Sequence, residues 1–241
     1  MLNKNATGLF GKLPAHGDFI YRDLSPTFVN IWDEWLQGYV GSSREQLGDA
    51  WLEIYLTSPV WRFAFSEGVI DGNSWAGIIL PSVDRVGRYF PFTVVACLPQ
   101  QANPVDFVCS RQGWYQAMED AALKALYGQL QLEGLVEELN DINPMVKSVY
   151  IKNAPLEHLN NLVIKNASVE QAPQTILPYM LDACLVQSLK SYSVWSTKGS
   201  ELIEPCMFVS KGLPQLGGIA AMMDGQWAQR NWQEPFTLKA R

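Results

Sequence analysis

Ten consecutive residues, Tyr89–Leu98, form an uncharged run rich in aromatic and β-branched side chains. Apolar residues occupy both odd and even positions, so a strand built from them has no polar face to turn toward water. Such a strand belongs in the interior of a sheet, with a layer of structure packed on each face. Further extended segments are predicted at Thr7–Lys12, Phe19–Tyr21, Trp61–Ser66, Trp75–Leu80, Ser193–Thr197 and Pro205–Ser210.

Helical periodicity is clearest after Ser25-Pro26, which has the order of an N-cap residue followed by proline at the first helical position. Apolar residues then recur every three or four positions, at Phe28, Ile31, Trp32, Trp35, Leu36 and Tyr39. Further helices are predicted over Gly48–Thr57, Pro104–Leu130, Leu132–Leu139, Pro155–Lys165, Thr175–Lys190 and Gly217–Met223. Strands at both ends of the chain, with helices between them, predict an α/β fold around one mixed sheet that the C-terminal strands complete.

Composition excludes several classes of protein. With 241 residues the chain fits one domain over 1–241, or two sub-lobes at 1–140 and 141–241. A formal charge of −6 and the lack of any Lys/Arg run argue against nucleic-acid binding. The apolar runs are too short to span a bilayer, and the N-terminus lacks a signal segment. Four cysteines without a CxxC pair or a disulfide spacing favour a reducing, cytoplasmic location. The oligomeric state stays open.

Charge is concentrated in the connection Pro81–Thr93, although only 17% of the chain is charged. Asp84, Arg85 and Arg88 alternate there with side chains that need burial, and charges in such a setting are paired or directed at a ligand. The two arginines could clamp a phosphorylated or acidic segment of a partner. Alternatively, the pairs Asp84–Arg88 or Arg85–Asp18 could fix two loops together.

The loop Leu13–Asp18 holds a second group of polar residues, His16 and Asp18. Their spacing suits a metal-ligand pair or a general base with its orienting carboxylate, but the only other histidine is His158. Asp18 could instead cap the loop or pair with an arginine, namely Arg22, Arg85 or Arg88. We therefore predict no catalytic residue, no metal ligand and no cofactor.

Ser82 and Asp84, together with His16, supply the residue types of a hydrolytic triad. No GxSxG elbow precedes a helix here, so Ser82 is expected to bond a local backbone group. A hydrolase or small-ligand enzyme that uses His16, Asp18, Ser82 and Asp84 is the alternative hypothesis.

Two tryptophans and one arginine complete the candidates. Trp227 and Trp232 lie in a polar tail, where they are hard to bury, and exposed aromatic residues often anchor protein interfaces. They form a second candidate surface. Arg62 alternates with Trp61 and Phe63, and it is expected on the outward side of its strand.

Two motifs together resemble a known family. The segments Gly8–Arg22 (GLFGKLPAHGDFIYR) and Pro81–Thr93 (PSVDRVGRYFPFT) resemble the hallmarks of the TagF/ImpM family, accessory proteins of bacterial type VI secretion systems. The resemblance is weaker between Gln100 and Thr175. It continues at Trp32–Leu36, Pro59–Phe63, Trp75–Leu80, Val194–Ser200 and Gly212–Pro214.

The resemblance implies a fold and a role. The fold is a three-layer α/β/α sandwich with a mixed, largely antiparallel central sheet. The role is that of a non-enzymatic, post-translational repressor of type VI assembly, which binds a forkhead-associated scaffold protein. Some relatives are fused to a PP2C-type phosphatase domain, for which no room follows Arg241, so a separate phosphatase is expected. A scaffold role through oligomerisation is a third hypothesis. The expected contact or structural network comprises His16, Asp18, Arg22, Ser82, Asp84, Arg85 and Arg88.

Overall fold

The computed structural model describes residues 7–99, 102–142, 144, 163–165, 175–235 and 237–238. Seven strands form one sheet in the order β2-β1-β5-β4-β3-β6-β7, and each neighbouring pair is antiparallel. Helices cover both faces, so the predicted three-layer α/β/α fold is confirmed, although the seven described strands form a wholly antiparallel sheet and not the mixed sheet predicted. The strands are β1 (Thr7–Gly11), β2 (Ile20–Arg22), β3 (Trp61–Phe65), β4 (Trp75–Leu80), β5 (Phe92–Cys97), β6 (Tyr192–Thr197) and β7 (Cys206–Lys211).

Strand β5 lies inside the sheet between β1 and β4, as its apolar sequence predicts. Phe92 and Val94 enter the core on one face of the sheet, and Val95 enters the core on the other. The strand begins later than predicted, since Pro91 has no amide hydrogen to add to the ladder. The apolar run in the sequence and the burial of both faces of the strand therefore agree at the centre of the fold.

The first helical layer packs aromatic side chains against the sheet. It consists of α1 (Pro26–Leu47), α2 (Trp51–Thr57) and α7 (Ala221–Asp224). Ser25 caps α1 as predicted, because its hydroxyl accepts a hydrogen bond of 3.1 Å from the Phe28 amide. Trp32 is fully buried, and its indole donates a hydrogen bond of 3.0 Å to Thr93 Oγ1 on β5. The indole thus joins the longest helix to the centre of the sheet.

The second helical layer covers the opposite face with aliphatic side chains and a cluster of three rings, Phe107, Trp114 and Tyr115. It consists of α3 (Pro104–Ser110), α4 (Gln112–Leu126), α5 (Leu132–Asn140) and α6 (Leu177–Leu189). The single helix predicted from residue 104 to residue 130 is in fact two helices, because the backbone leaves helical geometry at Arg111 (φ −105°, ψ 37°). The helix predicted over 155–165 lies largely outside the described residues.

Arg62 is buried, which corrects its predicted outward position. It shares a face of β3 with Ala64, as alternation requires, but α4 covers that face. Its guanidinium donates through Nε to Glu119 Oε1 at 2.5 Å and lies over the ring of Tyr115. Lys198 reaches the second oxygen of Glu119 at 2.9 Å. The buried ion pair between Arg62 and Glu119 fixes α4 to the sheet.

The last two strands, β6 and β7, extend the sheet beyond β3, although β3 is far from β6 in the sequence. Phe63 on β3 pairs with Trp195 on β6, and β7 then forms the edge of the sheet. The pairing crosses the boundary between residues 140 and 141. The single domain over 1–241, with possible sub-lobes at 1–140 and 141–241, stays a prediction.

The buried ion pair gives a direct test of how α4 is held. Glu119→Ala should lower the free energy of unfolding by about 3–5 kcal/mol, because Arg62 would stay buried without a counter-charge. Urea unfolding followed by circular dichroism measures the change.

A matched control comes from Glu138 on α5, which pairs with Lys124 at 2.6 Å in a more exposed setting. Glu138→Ala should cost less than about 1 kcal/mol. Equal losses for the two variants would contradict the assignment of the Arg62–Glu119 pair as the anchor of α4.

Candidate functional site

Two loops meet at one end of the sheet. The loop of residues 12–19 joins β1 to β2, and the loop of residues 81–91 joins β4 to β5. Because β1 and β5 are neighbours, with Gly11 opposite Phe92, the loops that follow β1 and precede β5 emerge together. We call this region the loop junction.

Glycine permits the close approach of the two chains. Gly11 has φ of +123°, a conformation that L side chains rarely adopt. A Cβ atom at this position would lie 2.1 Å from the carbonyl oxygen of Pro91. No side chain fits there, so the end of β1 can lie directly against the chain that enters β5.

The carboxylate of Asp84 is the centre of the loop junction, and its side chain has no exposed surface. Its Oδ2 atom accepts from Lys12 Nζ at 2.8 Å and from Arg88 Nε at 2.6 Å. Its Oδ1 atom accepts from the amides of Val86 at 3.0 Å and Arg88 at 2.8 Å. Four donors from both loops therefore satisfy one buried carboxylate.

These contacts decide the ionisation of Asp84. Burial alone would raise the pKa of its carboxyl group. The hydrogen bonds from Lys12, Arg88 and the Val86 amide act in the opposite direction and outweigh burial, so the pKa of Asp84 lies well below its ordinary value of 3.8. The carboxylate stays charged across the physiological range of pH.

The backbone around Asp84 forms a tight turn that sets the direction of the following side chains. The Gly87 amide donates to the Asp84 carbonyl at 3.0 Å, and the Asp84 amide donates to the Arg88 carbonyl at 3.0 Å. Gly87 adopts φ of +85°, which favours glycine. An isolated bridge between Val83 and Tyr89 closes the base of the turn.

Ser82 supports the junction through its hydrogen bonds. Its hydroxyl donates to the Lys12 carbonyl at 2.6 Å, and its amide donates to the Tyr55 hydroxyl at 2.9 Å. A backbone partner was predicted for Ser82, although this carbonyl is 70 residues away rather than local. Burial raises the pKa of Tyr55, which keeps its hydroxyl protonated.

The four residues of the hydrolase hypothesis do not form a triad in this arrangement. Ser82 directs its hydroxyl at a carbonyl, and Asp84 binds Lys12 and Arg88. His16 is half-buried, and its carbonyl accepts the Arg85 amide at 2.9 Å. Its Nε2 atom is buried with no hydrogen-bond partner among the described residues. His158 lies outside the described residues.

The predicted ion pairs of Asp18 do not form. Within the described part of the chain, Asp18 is exposed and makes no ion pair with Arg22, Arg85 or Arg88. Arg22 instead donates to the Tyr21 carbonyl at 3.0 Å. A depression of about 170 Å³ lies beside these residues, lined by His16, Gly17, Asp18, Phe19, Ile20, Arg22 and Leu132.

The two arginines of the 81–91 loop have different environments. Arg88 pairs with Asp84 and also donates to the Gly17 carbonyl, although 58% of its side chain stays exposed. Arg85 is exposed, and a Cβ atom at Gly17 would lie 3.3 Å from its Nη2 atom. No carboxylate among the described residues pairs with Arg85. Of the two internal pairs weighed from the sequence, Asp84–Arg88 forms and Arg85–Asp18 does not.

Lys12 and three exposed apolar side chains were not among the residues predicted from the sequence. Lys12 follows β1 directly, and its place within the motif Gly8–Arg22 was the available signal. Phe19, Tyr21 and Val86 are exposed by 50%, 49% and 66%. Their place beside the charged residues in both motifs was the signal that they share the surface of the junction.

The second candidate surface is packed rather than exposed. Trp227 and Trp232 are half-buried, and both rings contact Phe208 on β7, at centroid distances of 5.7 and 4.8 Å. The Trp232 indole donates to the Gly218 carbonyl at 2.8 Å. The two tryptophans extend the first helical layer over β7, which corrects their predicted exposure.

The described residues offer neither a cluster of metal ligands nor a membrane-spanning helix. No group of three or more His, Cys, Asp and Glu side chains lies together as metal ligands there. In the same part of the chain, none of the helices combines the length and the apolar character that crossing a membrane requires.

Comparison with known proteins identifies the family. Residues 8–142, more than half of the chain, match the TagF N-terminal domain family, described as type VI secretion system-associated. The crystal structure of PA0076 from Pseudomonas aeruginosa PAO1 is similar, with a TM-score of 0.79 and 31% sequence identity. The similarity covers 98% of this chain and 99% of that chain. No curated protein matches the chain.

The sheet and the loop junction define an α/β/α sandwich protein in which a buried carboxylate holds two charged loops at one end. The chain belongs to the TagF family of type VI secretion-associated proteins. The family predicted from the motifs at 8–22 and 81–93 is thus confirmed.

The central role of Asp84 can be tested through pH. Because the folded-state pKa of Asp84 is lowered, its contribution to stability is complete above the ordinary value of 3.8 and disappears as the pH falls through the folded value. Asp84→Asn should therefore be less stable than the wild type near neutral pH, and the difference should shrink in acid. Urea unfolding between about pH 2.5 and about pH 7 measures it.

The matched control is Asp18→Asn, which changes an exposed carboxylate of the same junction. This variant should stay close to the wild type at every pH. A difference between Asp84→Asn and the wild type that does not depend on pH would contradict the role of the charge.

Proposed function

We propose that this protein is a cytoplasmic regulator of a type VI secretion system and that it acts by binding another protein. Membership of the TagF family supports the link to secretion. The partner proposed from the motif resemblance is a forkhead-associated scaffold component, and the proposed effect is repression of assembly after translation.

The loop junction is the observation that carries the binding hypothesis. Its interior groups are committed to one another, because Lys12 and Arg88 bind Asp84 and the Ser82 hydroxyl binds a carbonyl. What the junction offers to the outside is a rigid surface with an exposed arginine, Arg85. A site built this way suits recognition, since recognition needs fixed side chains and no reacting group.

Direct binding can be measured with purified proteins. Titration of the chain into the forkhead-associated protein of the same secretion system should give saturable heat with a Kd below about 10 µM. A forkhead-associated domain from an unrelated pathway is the matched control and should give no saturable signal. Absence of binding to the cognate scaffold would reject it as the partner.

The sign of regulation needs a separate measurement in cells. If the chain is a repressor, deletion of its gene should increase the amount of substrate protein that the secretion system releases into the medium. Reintroduction of the wild-type gene should restore the original amount. Reduced release after deletion would make the chain an activator and would contradict the proposed sign.

A further inference from the structure

We call four exposed residues of the loop junction and the adjoining strand β2 the aromatic–arginine surface: Phe19, Tyr21, Arg85 and Val86. Phe19 and Tyr21 are two positions apart and share the face of the sheet on which Phe10 lies. Arg85 and Val86 project from the adjoining turn, which is bonded to the other loop through His16 and Gly17.

Phe19 is exposed but held in place. Its ring stacks on Phe10 at a centroid distance of 6.1 Å and meets Phe90 edge to face at 4.9 Å. The ammonium group of Lys12 lies 4.9 Å from the centre of the same ring. A half-exposed ring that is fixed by three neighbours can bind a partner with little loss of conformational entropy.

The charge at this end of the sheet is opposite in sign to that of the whole chain. Lys12, Arg85 and Arg88 carry three positive charges, whereas Asp18 and Asp84 carry two negative ones. Arg22 and Asp23 nearby add one charge of each sign. The junction thus has an excess of one positive charge in a chain of net charge −6. An acidic segment is therefore attracted to these residues, whereas the net charge of the whole chain would repel it.

Arg85 is the cation that can serve such a partner, since Arg22 alternates with Tyr21 on β2 and therefore lies on the opposite face of the sheet. Arg88 and Lys12 are committed to Asp84, so pairing either of them with a partner would weaken the junction. Among the described residues Arg85 has no carboxylate partner, and no internal ion pair has to break before it binds. Its planar guanidinium suits a bidentate bond to a carboxylate.

We propose that the aromatic–arginine surface binds an acidic segment of a partner protein, with an apolar side chain of that segment against Phe19 and Tyr21 and a carboxylate on Arg85. Aromatic residues and arginine are enriched where binding energy is concentrated in protein interfaces. The inference rests on the proposed function only in that the ligand is a protein.

Photocrosslinking in the native cell tests this surface without a prior choice of partner. Tyr21 is replaced by p-benzoylphenylalanine, and Tyr127, an exposed tyrosine on the second helical layer, is replaced in the same way as the positional control. Mass spectrometry then identifies the crosslinked peptide. We expect position 21, and not position 127, to crosslink a protein segment with an excess of Asp and Glu residues.

Charge reversal tests the role of Arg85 in the same assay. Arg85→Glu should reduce the yield of the crosslink from position 21 by about tenfold or more. Lys211→Glu, which makes the same charge change on β7 at the opposite edge of the sheet, should leave the yield unchanged. Thermal unfolding verifies that both variants are folded, and Arg85→Gln replaces Arg85→Glu if the reversal is not tolerated.

The outcomes separate this inference from the proposed function. The surface assignment is overturned if position 21 gives no specific crosslink, if the captured peptide is neutral or basic, if its binding requires a phosphate group, or if Arg85→Glu has no effect. An acidic segment from a protein outside the secretion system would support the surface and reject the proposed function. An acidic segment from the forkhead-associated scaffold would support both.

Discussion

A single buried charge, the carboxylate of Asp84, organises the end of the molecule at which the two loops of the junction meet. Removing the Asp84 carboxylate and the Lys12 ammonium from water is costly, and the cost is offset only if every oxygen of the carboxylate finds donors in good geometry. That requirement fixes the end of β1, the turn after β4 and the Arg88 side chain relative to one another. Phe19 and Arg85 are not part of the ion pair, but their positions depend on it. The ion pair therefore determines the shape of a surface to which it contributes little exposed area itself.

The two faces of the sheet are packed with different chemistry, and β3 shows why. Phe63 and Phe65 pack against Trp32 of α1 and Trp195 of β6 in a cluster of stacked and tilted rings. Trp61 lies on the same face of β3 and contacts Phe208 of β7. The opposite side of the same strand carries Arg62 and Ala64, and Arg62 pairs with Glu119 of α4. Large rings on one side and a small residue beside a paired charge on the other therefore suit different helices, so that the strand itself specifies which helices it accepts.

Local signals in the sequence predicted the parts of the fold that depend on neighbouring residues. The structure confirms the N-cap at Ser25, the apolar stripe of α1 and the buried strand β5. These features were predictable because periodicity and propensity act over a few neighbouring positions. The exposure of Arg62 was mispredicted, since alternation identifies the face of a strand but not whether a helix covers that face. In the site, the pair Asp84–Arg88 lies within one turn and was foreseen as an alternative. The contact of Lys12 with Asp84 spans 72 residues, and no local pattern contains it. The packing of Trp227 on β7 has the same long-range origin, and its polar neighbours in the sequence concealed it.

The position of β6 beside β3 has a consequence for how the protein is made. The amide of Tyr192 bonds the hydroxyl of Ser66, across 126 residues, and β6 completes the hydrogen bonds of β3 only after most of the chain has left the ribosome. Until then β3 pairs with β4 on one side only and is a strongly aromatic edge strand, and such edges promote association between nascent chains. Contacts of this sequence separation also slow folding, because a long loop must close before they form. Synthesis in the cell is therefore the stage at which this sheet is most vulnerable, and chaperones that shield β3 during translation would have their largest effect there.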